Sequence, residues 1–163
     1  MKHLLLLCTA WVLAFGRGEE IVPFALDDQW GTRWESSQLS GKPYVLILAD
    51  REGAEHALQW GTELGRRLGN DVPVLGCANF DGVPFFLRWY VRARVRARVP
   101  HAPLLLDWEG TLFERLRCKD GVPTVLAVGS DRRIIYRYEG PPEPHTIGQV
   151  VGMIRSLRAE TTR

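Results

Sequence analysis

The apolar positions of the chain fall into blocks of two kinds. Pro43–Asp50 ("PYVLILAD") is a nearly unbroken apolar run without alternation, the pattern of a strand covered on both faces. Val72–Asn79 ("VPVLGCAN") has the same character. Between them Ala57, Trp60, Leu64 and Leu68 recur at three- and four-residue steps, which predicts a helix that stops at Gly69. Strand, helix and strand in this order make a parallel unit with a crossover. The next block, Val91–Val99 ("VRARVRARV"), reads two ways. Its period of two is that of a strand. Its residues are good helix formers, however, and Pro84 and Pro100 frame it as a helix. Taken as a helix, it places Phe86, Tyr90, Ala93 and Ala97 on one face, with Arg92 and Arg96 on the flank. Trp89 and Tyr90 are then expected in the core or in a groove.

The second half continues the alternation. "APLLLDW" predicts a strand, Asp107–Gly110 a turn and Leu112–Arg117 a short helix. Pro123–Val128 is a further strand, and Ile134–Tyr138 returns as its antiparallel partner. Ile147, Val150, Val151, Ile154 and Leu157 form a closing helical stripe, with Thr146 and Gln149 spaced as a capping box. Upstream, Ile21–Leu26 is a short apolar stretch and Asp27–Trp34 is rich in turn residues. The order β-α-β-α-β, then β-β-α, specifies an α/β protein with a mixed sheet between helices. No internal repeat or low-complexity segment interrupts it.

The first residues do not belong to this pattern. Lys2 and His3 precede an apolar run, Leu4–Phe15, and Ala14-Phe15-Gly16 has the small-x-small form of a cleavage site. Residues 1–16 are therefore expected to be a signal peptide of a periplasmic or secreted protein, and 17–163 a single domain. The apolar run is shorter than the roughly 20 residues that span a bilayer. An uncleaved anchor is the alternative reading. Beyond residue 16 the chain holds 20 basic and 19 acidic residues, a balance that gives no general reason to expect a nucleic-acid or membrane partner. Two cysteines remain, Cys77 and Cys118, too few for a disulfide framework and 41 positions apart, unlike a metal pair. Nothing in the sequence calls for a cofactor or a metal.

Two blocks carry a resemblance. "PFALDDQWG" followed by "SSQLSGKPYVLILAD" resembles the opening of redoxin domains, the thiol–disulfide oxidoreductases and alkyl-hydroperoxide-reductase-like proteins of the thioredoxin fold. "LLLDWEGTLFERLRCKDGVPTVLAVGSDRRIIYRYEG" is similar to their second half, and the likeness extends from Val22 to Leu157. It implies a thioredoxin-like sheet ending in a β-hairpin and a helix. It implies a cis peptide bond between Val122 and Pro123, within Gly121-Val122-Pro123-Thr124, with Val122 presenting its backbone to a bound peptide. The resemblance also places a reactive cysteine at the start of the helix after the central strand, where the helix N-terminus would stabilise a thiolate. In this chain that place falls within Arg51–His56. The residues there are Arg51, Glu52, Gly53, Ala54, Glu55 and His56, none a usual redox nucleophile.

The expected activity is therefore binding without redox chemistry. An unidentified protein or extended peptide is expected to dock along Asp50, Arg51, Glu52, Gly53, His56, Val122, Pro123 and Thr124. The alternative is a thiol-dependent reductase or peroxidase that uses Cys118, with Cys77 as a possible second thiol. Its plainer counterpart is one buried and one loop cysteine acting as small apolar residues. Asp50, Glu52 and His56, joined by His101, could instead form an acid–base or metal cluster, against the commoner case of solvated surface groups. Arg88, Arg92, Arg94, Arg96 and Arg98 form a basic patch that could meet an acidic protein or anionic lipid. In a chain with 18 Arg and 3 Lys, an ordinary solvated face is the simpler account.

Overall fold

The computed structural model describes residues 18–161, so the expected signal peptide lies outside the described residues. A small antiparallel hairpin opens the fold, β1 (Ala25–Asp27) with β2 (Arg33–Glu35), in the stretch expected as turns. The main sheet contains β3 (Tyr44–Ala49), β4 (Val74–Asn79), β5 (Leu104–Asp107), β6 (Thr124–Val128) and β7 (Ile134–Glu139). Its order is β5-β4-β3-β6-β7. β3, β4 and β5 run parallel, and β6 and β7 join antiparallel. The helices are α1 (Ala54–Leu68), α2 (Arg88–Arg98), α3 (Thr111–Arg115) and α4 (Pro144–Thr161).

β3 is central because all six of its residues are buried, so each face of it can anchor a separate core layer. Tyr44, Leu46 and Leu48 point to one side, with Leu75, Leu105 and Leu126, beneath Ile21, Phe24, Leu39 and the short α3. Val45 and Ile47 point to the other, beneath Trp60 and Leu64 of α1 and Val150 and Ile154 of α4. Fully burying an aliphatic side chain of this kind contributes roughly 1.5–3 kcal/mol. Trp60 also satisfies its polar edge, because its Nε1–H donates to the carbonyl of Gly140 at 3.0 Å. Gly69 ends α1 with a left-handed φ of 67°, as its position after the stripe implied.

Two details depart from the sequence reading. Thr146 does not cap α4 with Gln149. The helix begins at Pro144, whose missing N–H costs nothing in the first turn, and the Thr146 hydroxyl accepts from the N–H of Glu143 at 3.2 Å. Gln149 instead accepts a bond from the Tyr136 hydroxyl. The second departure is α2. The block is helical, but Phe86, Tyr90, Ala93 and Ala97 all face outward, and Trp89 is 72% exposed rather than in the core. Its inner side is Arg88, Val91, Arg92, Val95 and Val99, only half-buried. The helix crosses to an edge strand, where little sheet surface is left to cover. It is held by polar contacts: Arg96 Nε donates to the carbonyl of Gln29 at 2.6 Å, and Gln29 Nε2 donates to the carbonyl of Val99 at 2.9 Å.

Candidate functional site

The junction after β3 is built around one carboxylate. Asp50 Oδ1 accepts from the Gly53 N–H and Oδ2 from the Gly121 N–H, both at 2.8 Å. One side chain thus staples the β3–α1 turn to the loop before β6. Gly53 is buried where these segments meet. A Cβ placed there would lie 2.9 Å from the carbonyl carbon of Val122 and 3.1 Å from the nitrogen of Pro123. Glu52 Oε2 flanks Gly121 from the same side. Asp50, Glu52, Gly53, Val122 and Pro123 are therefore one contiguous feature, and Arg51, Glu52, Glu55 and His56 stand exposed on its rim. Gly53→Ala should cost about 1–3 kcal/mol through crowding, since its backbone (φ −80°, ψ −6°) suits any residue. Chemical denaturation checks this; an unchanged midpoint would mean that Val122 yields freely.

The expected cis bond at Pro123 is not present. No cis peptide bond occurs among the described residues, so Val122–Pro123 is trans. The chain is turned one step earlier, by the left-handed φ of 78° at Gly121 and by the Asp50 staple on that residue's N–H. Pro123 is buried and its carbonyl accepts from Gly140 at 3.0 Å, which leaves half-buried Val122 as the part of the motif that reaches the surface. Thr124 does not belong to this surface. It is fully buried on the opposite side of the sheet, where its hydroxyl has no hydrogen-bond partner of full geometry.

That opposite side holds the thiols. Cys77 is buried in β4 and Cys118 packs partly buried against the same apolar cluster; both are free. Burial pushes the Cys77 thiol well above its usual range, reinforced by the Asp107 carboxylate and by Cys118. Burial pushes Cys118 up to about 11, against the pull of the neighbouring Thr124 hydroxyl and Arg137 guanidinium. A helix N-terminus next to a charged group would do the reverse. The alternative redox pair is therefore two neutral thiols below the sheet, not a thiolate at Asp50–Gly53.

The acid–base and metal reading loses its centre, because both oxygens of Asp50 are bound to backbone amides. Among the described residues no three His, Cys, Asp or Glu gather to hold a metal ion, and His101 is exposed in the turn before β5. The basic patch divides. Arg88 pairs with Glu109 at 2.6 Å and lies over the Trp108 ring, 5.3 Å from its centroid. Arg98 pairs with Glu55 at 2.6 Å, bringing the end of α2 against the first turn of α1 and so to the edge of the junction. Such exposed pairs contribute only about 0–1 kcal/mol each. Arg92 is half-buried and Arg94 exposed. A cleft of about 330 Å³ beside β5 is lined by Arg33, Arg88 and Arg115 among others. Each of the three is engaged already, by Asp27, Glu109 and the Pro23 carbonyl.

Two residues that shape this end of the molecule were not singled out in the sequence. Asp107 carries three amides of α3, and Arg137 clamps the carbonyls of Leu116 and Arg117, both at 2.8 Å, just before Cys118. The "DWEG" turn was a signal for the first. For the second, nothing local marks an arginine on β7 as a partner of that loop.

No family model and no curated protein sequence matches the chain. Solved structures do. The exposed lipoprotein thioredoxin of Streptococcus pneumoniae is similar over 81% of this chain and 99% of its own, with a TM-score of 0.65 at 19% identity. A thiol:disulfide interchange protein of the thioredoxin family from Chlorobium tepidum covers 86% and 99%, with a TM-score of 0.62 at 14% identity. A secreted disulfide oxidoreductase of Mycobacterium tuberculosis covers 82% and 96%, with a TM-score of 0.59 at 16% identity. With the mixed sheet, the flanking helices and the closing hairpin and helix in place, the chain has the thioredoxin-like fold that its redoxin-like sequence blocks implied.

Proposed function

We propose that this chain is an exported thioredoxin-fold domain that binds a protein or an extended peptide without redox chemistry. The binding surface is the ridge formed by Asp50–Gly53, His56 and Val122–Pro123. The observation that carries the reading is the junction itself: where a redox member would hold a thiolate, this chain has Arg51, Glu52 and a buried Gly53 pressed against Val122. Fixed backbone, an exposed rim of both charges and one half-buried apolar residue are the materials of peptide recognition rather than of catalysis. Export is supported by the basic-then-apolar start of the sequence. The pneumococcal and mycobacterial structures, described as exposed and secreted, agree with it.

The thiol-enzyme reading is the second, and the two separate cleanly. With a thiol at about 11 rather than 9.0, alkylation of Cys118 at pH 8 should run about 100-fold slower than that of a free thiol. Above pH 9 the unfolded chain releases a proton that the folded chain retains, so stability falls between about pH 9 and 11. Fast alkylation of Cys118 in the native protein, together with turnover of a disulfide or a peroxide, would replace the binding reading. For the binding site itself, amide shifts should be followed by NMR with a panel of extended peptides. They should concentrate at 50–56 and 121–123; shifts confined elsewhere would refute the site.

A further inference from the structure

We infer that the start of α2 is a membrane-docking surface for anionic lipid, separate from the peptide ridge. Within six residues the chain exposes Phe85 (80%), Phe86 (60%), Leu87 (41%), Trp89 (72%) and Tyr90 (51%). Single exposed apolar residues are ordinary, whereas a contiguous aromatic group is not. The rings contact one another, Phe85 with Phe86 at 5.7 Å and Trp89 with Tyr90 at 6.0 Å between centroids. This face is not turned outward for want of an inner one. Val91, Val95 and Val99 supply the inner stripe, which leaves the aromatics unspent by the fold.

Charge selects the occupant. From Val83 to Leu106 there is no Asp or Glu, while five arginines fall in that stretch. Arg88, Arg96 and Arg98 are committed to Glu109, to the Gln29 carbonyl and to Glu55. Arg94 is exposed beside the aromatics and makes no ion pair among the described residues. A second copy of this chain fits less well, because Glu109 and Glu55 are already taken by Arg88 and Arg98, and a two-fold contact would bring the exposed Arg94 of one copy toward the arginines of the other. A bilayer surface fits in both respects. Its headgroup zone accepts Trp, Tyr and Phe at the interface, and its anionic lipids attract the flanking guanidinium groups. The helix would lie in the plane of the surface, its aromatic start dipping among the headgroups.

The test is co-sedimentation of the full chain with phosphatidylglycerol–phosphatidylcholine vesicles and with phosphatidylcholine vesicles alone. It compares the unaltered protein with Phe86→Ser/Trp89→Ser/Tyr90→Ser and with Arg94→Gln. The apolar start of the chain is common to all three, so differences between them read α2. The exposed triple variant should keep its circular dichroism and lose binding to anionic vesicles by about tenfold or more. The arginine variant should weaken binding to anionic vesicles only, and salt should do the same. Equal binding by all three proteins, or no preference for anionic lipid, overturns the inference. Salt-sensitive binding to polyglutamate with none to vesicles also overturns it, and assigns the face to an acidic protein.

Discussion

Asp107→Ala is expected to destabilise the protein by about 3–5 kcal/mol, the largest effect of any single polar substitution considered for this chain. Asp107 is 1% exposed at the end of β5. Its Oδ1 accepts from the Thr111 N–H at 3.1 Å, and its Oδ2 from the N–H groups of Leu112 and Phe113 at 2.8 and 3.0 Å. The first N–H groups of a helix have no partner within it. The residue before α3, Gly110, has no side chain with which to cap them, and its φ of 64° favours glycine. Asp107 therefore caps the helix from the strand before the turn, with its charge at the favourable end of the helix. Alanine would leave three amides without that acceptor, two of them in buried bonds. α3 has only five residues and could not hold its place over Leu46 and Leu48 without them. Because Cys118 follows directly, its alkylation should accelerate along with the loss of stability. Asp107→Asn keeps one acceptor and should fall between. Urea denaturation measures the series, and a cost below about 1 kcal/mol for alanine would show that the cap is dispensable.

The second large effect is expected at the candidate site. Asp50→Ala removes the acceptor of two charge-assisted bonds and should cost about 2–4 kcal/mol. Unlike Asp107, which anchors one helix, Asp50 joins two segments far apart in sequence, so its loss should be felt locally as well as globally. The amides of Gly53 and Gly121 should lose protection from hydrogen exchange by more than the average of β3 and β6. Peptide-induced shifts at 50–56 and 121–123 should shrink in parallel. Uniform loss of protection across the sheet would mean that Asp50 only adds stability and does not shape the ridge. Asp50→Asn separates charge from geometry, because its amide group can accept one of the two bonds but not both.

These two carboxylates also show how far the sequence could be read. Both were visible as the polar end of an apolar strand, in "YVLILAD" and "LLLDW". Asp50 was a candidate site residue on that ground and by resemblance. Its long-range partner, the Gly121 N–H, lies 71 positions away and is adjacent only because β3 and β6 pair antiparallel. The contact of Gly53 with Val122 has the same origin. At Pro123 the motif lies against the junction, but its peptide bond is trans rather than cis. A left-handed Gly121 and the Asp50 staple turn the chain here instead, and nothing in "GVPT" distinguishes that route from a cis peptide. Thr124, paired with Leu48, went to the far side of the sheet because alternate residues of a strand point to opposite faces, and the loop after α3 brings Cys118 against the same apolar cluster.

What the sequence determined by itself was the succession of elements. A buried strand, an amphipathic helix and a capped turn are each written in neighbouring residues, so period, apolar runs and glycine punctuation were enough. It also determined that no cysteine stands at the junction. Tertiary structure alone decided which face of each element was used. Two stripes were available on Arg88–Arg98, the aromatic one and the valine one. The larger stripe stayed outside because β5 ends the sheet and offers that helix no second layer to cover it. Burial depends on what surface remains after all strands have paired, and that is a property of the assembled sheet rather than of any segment within it.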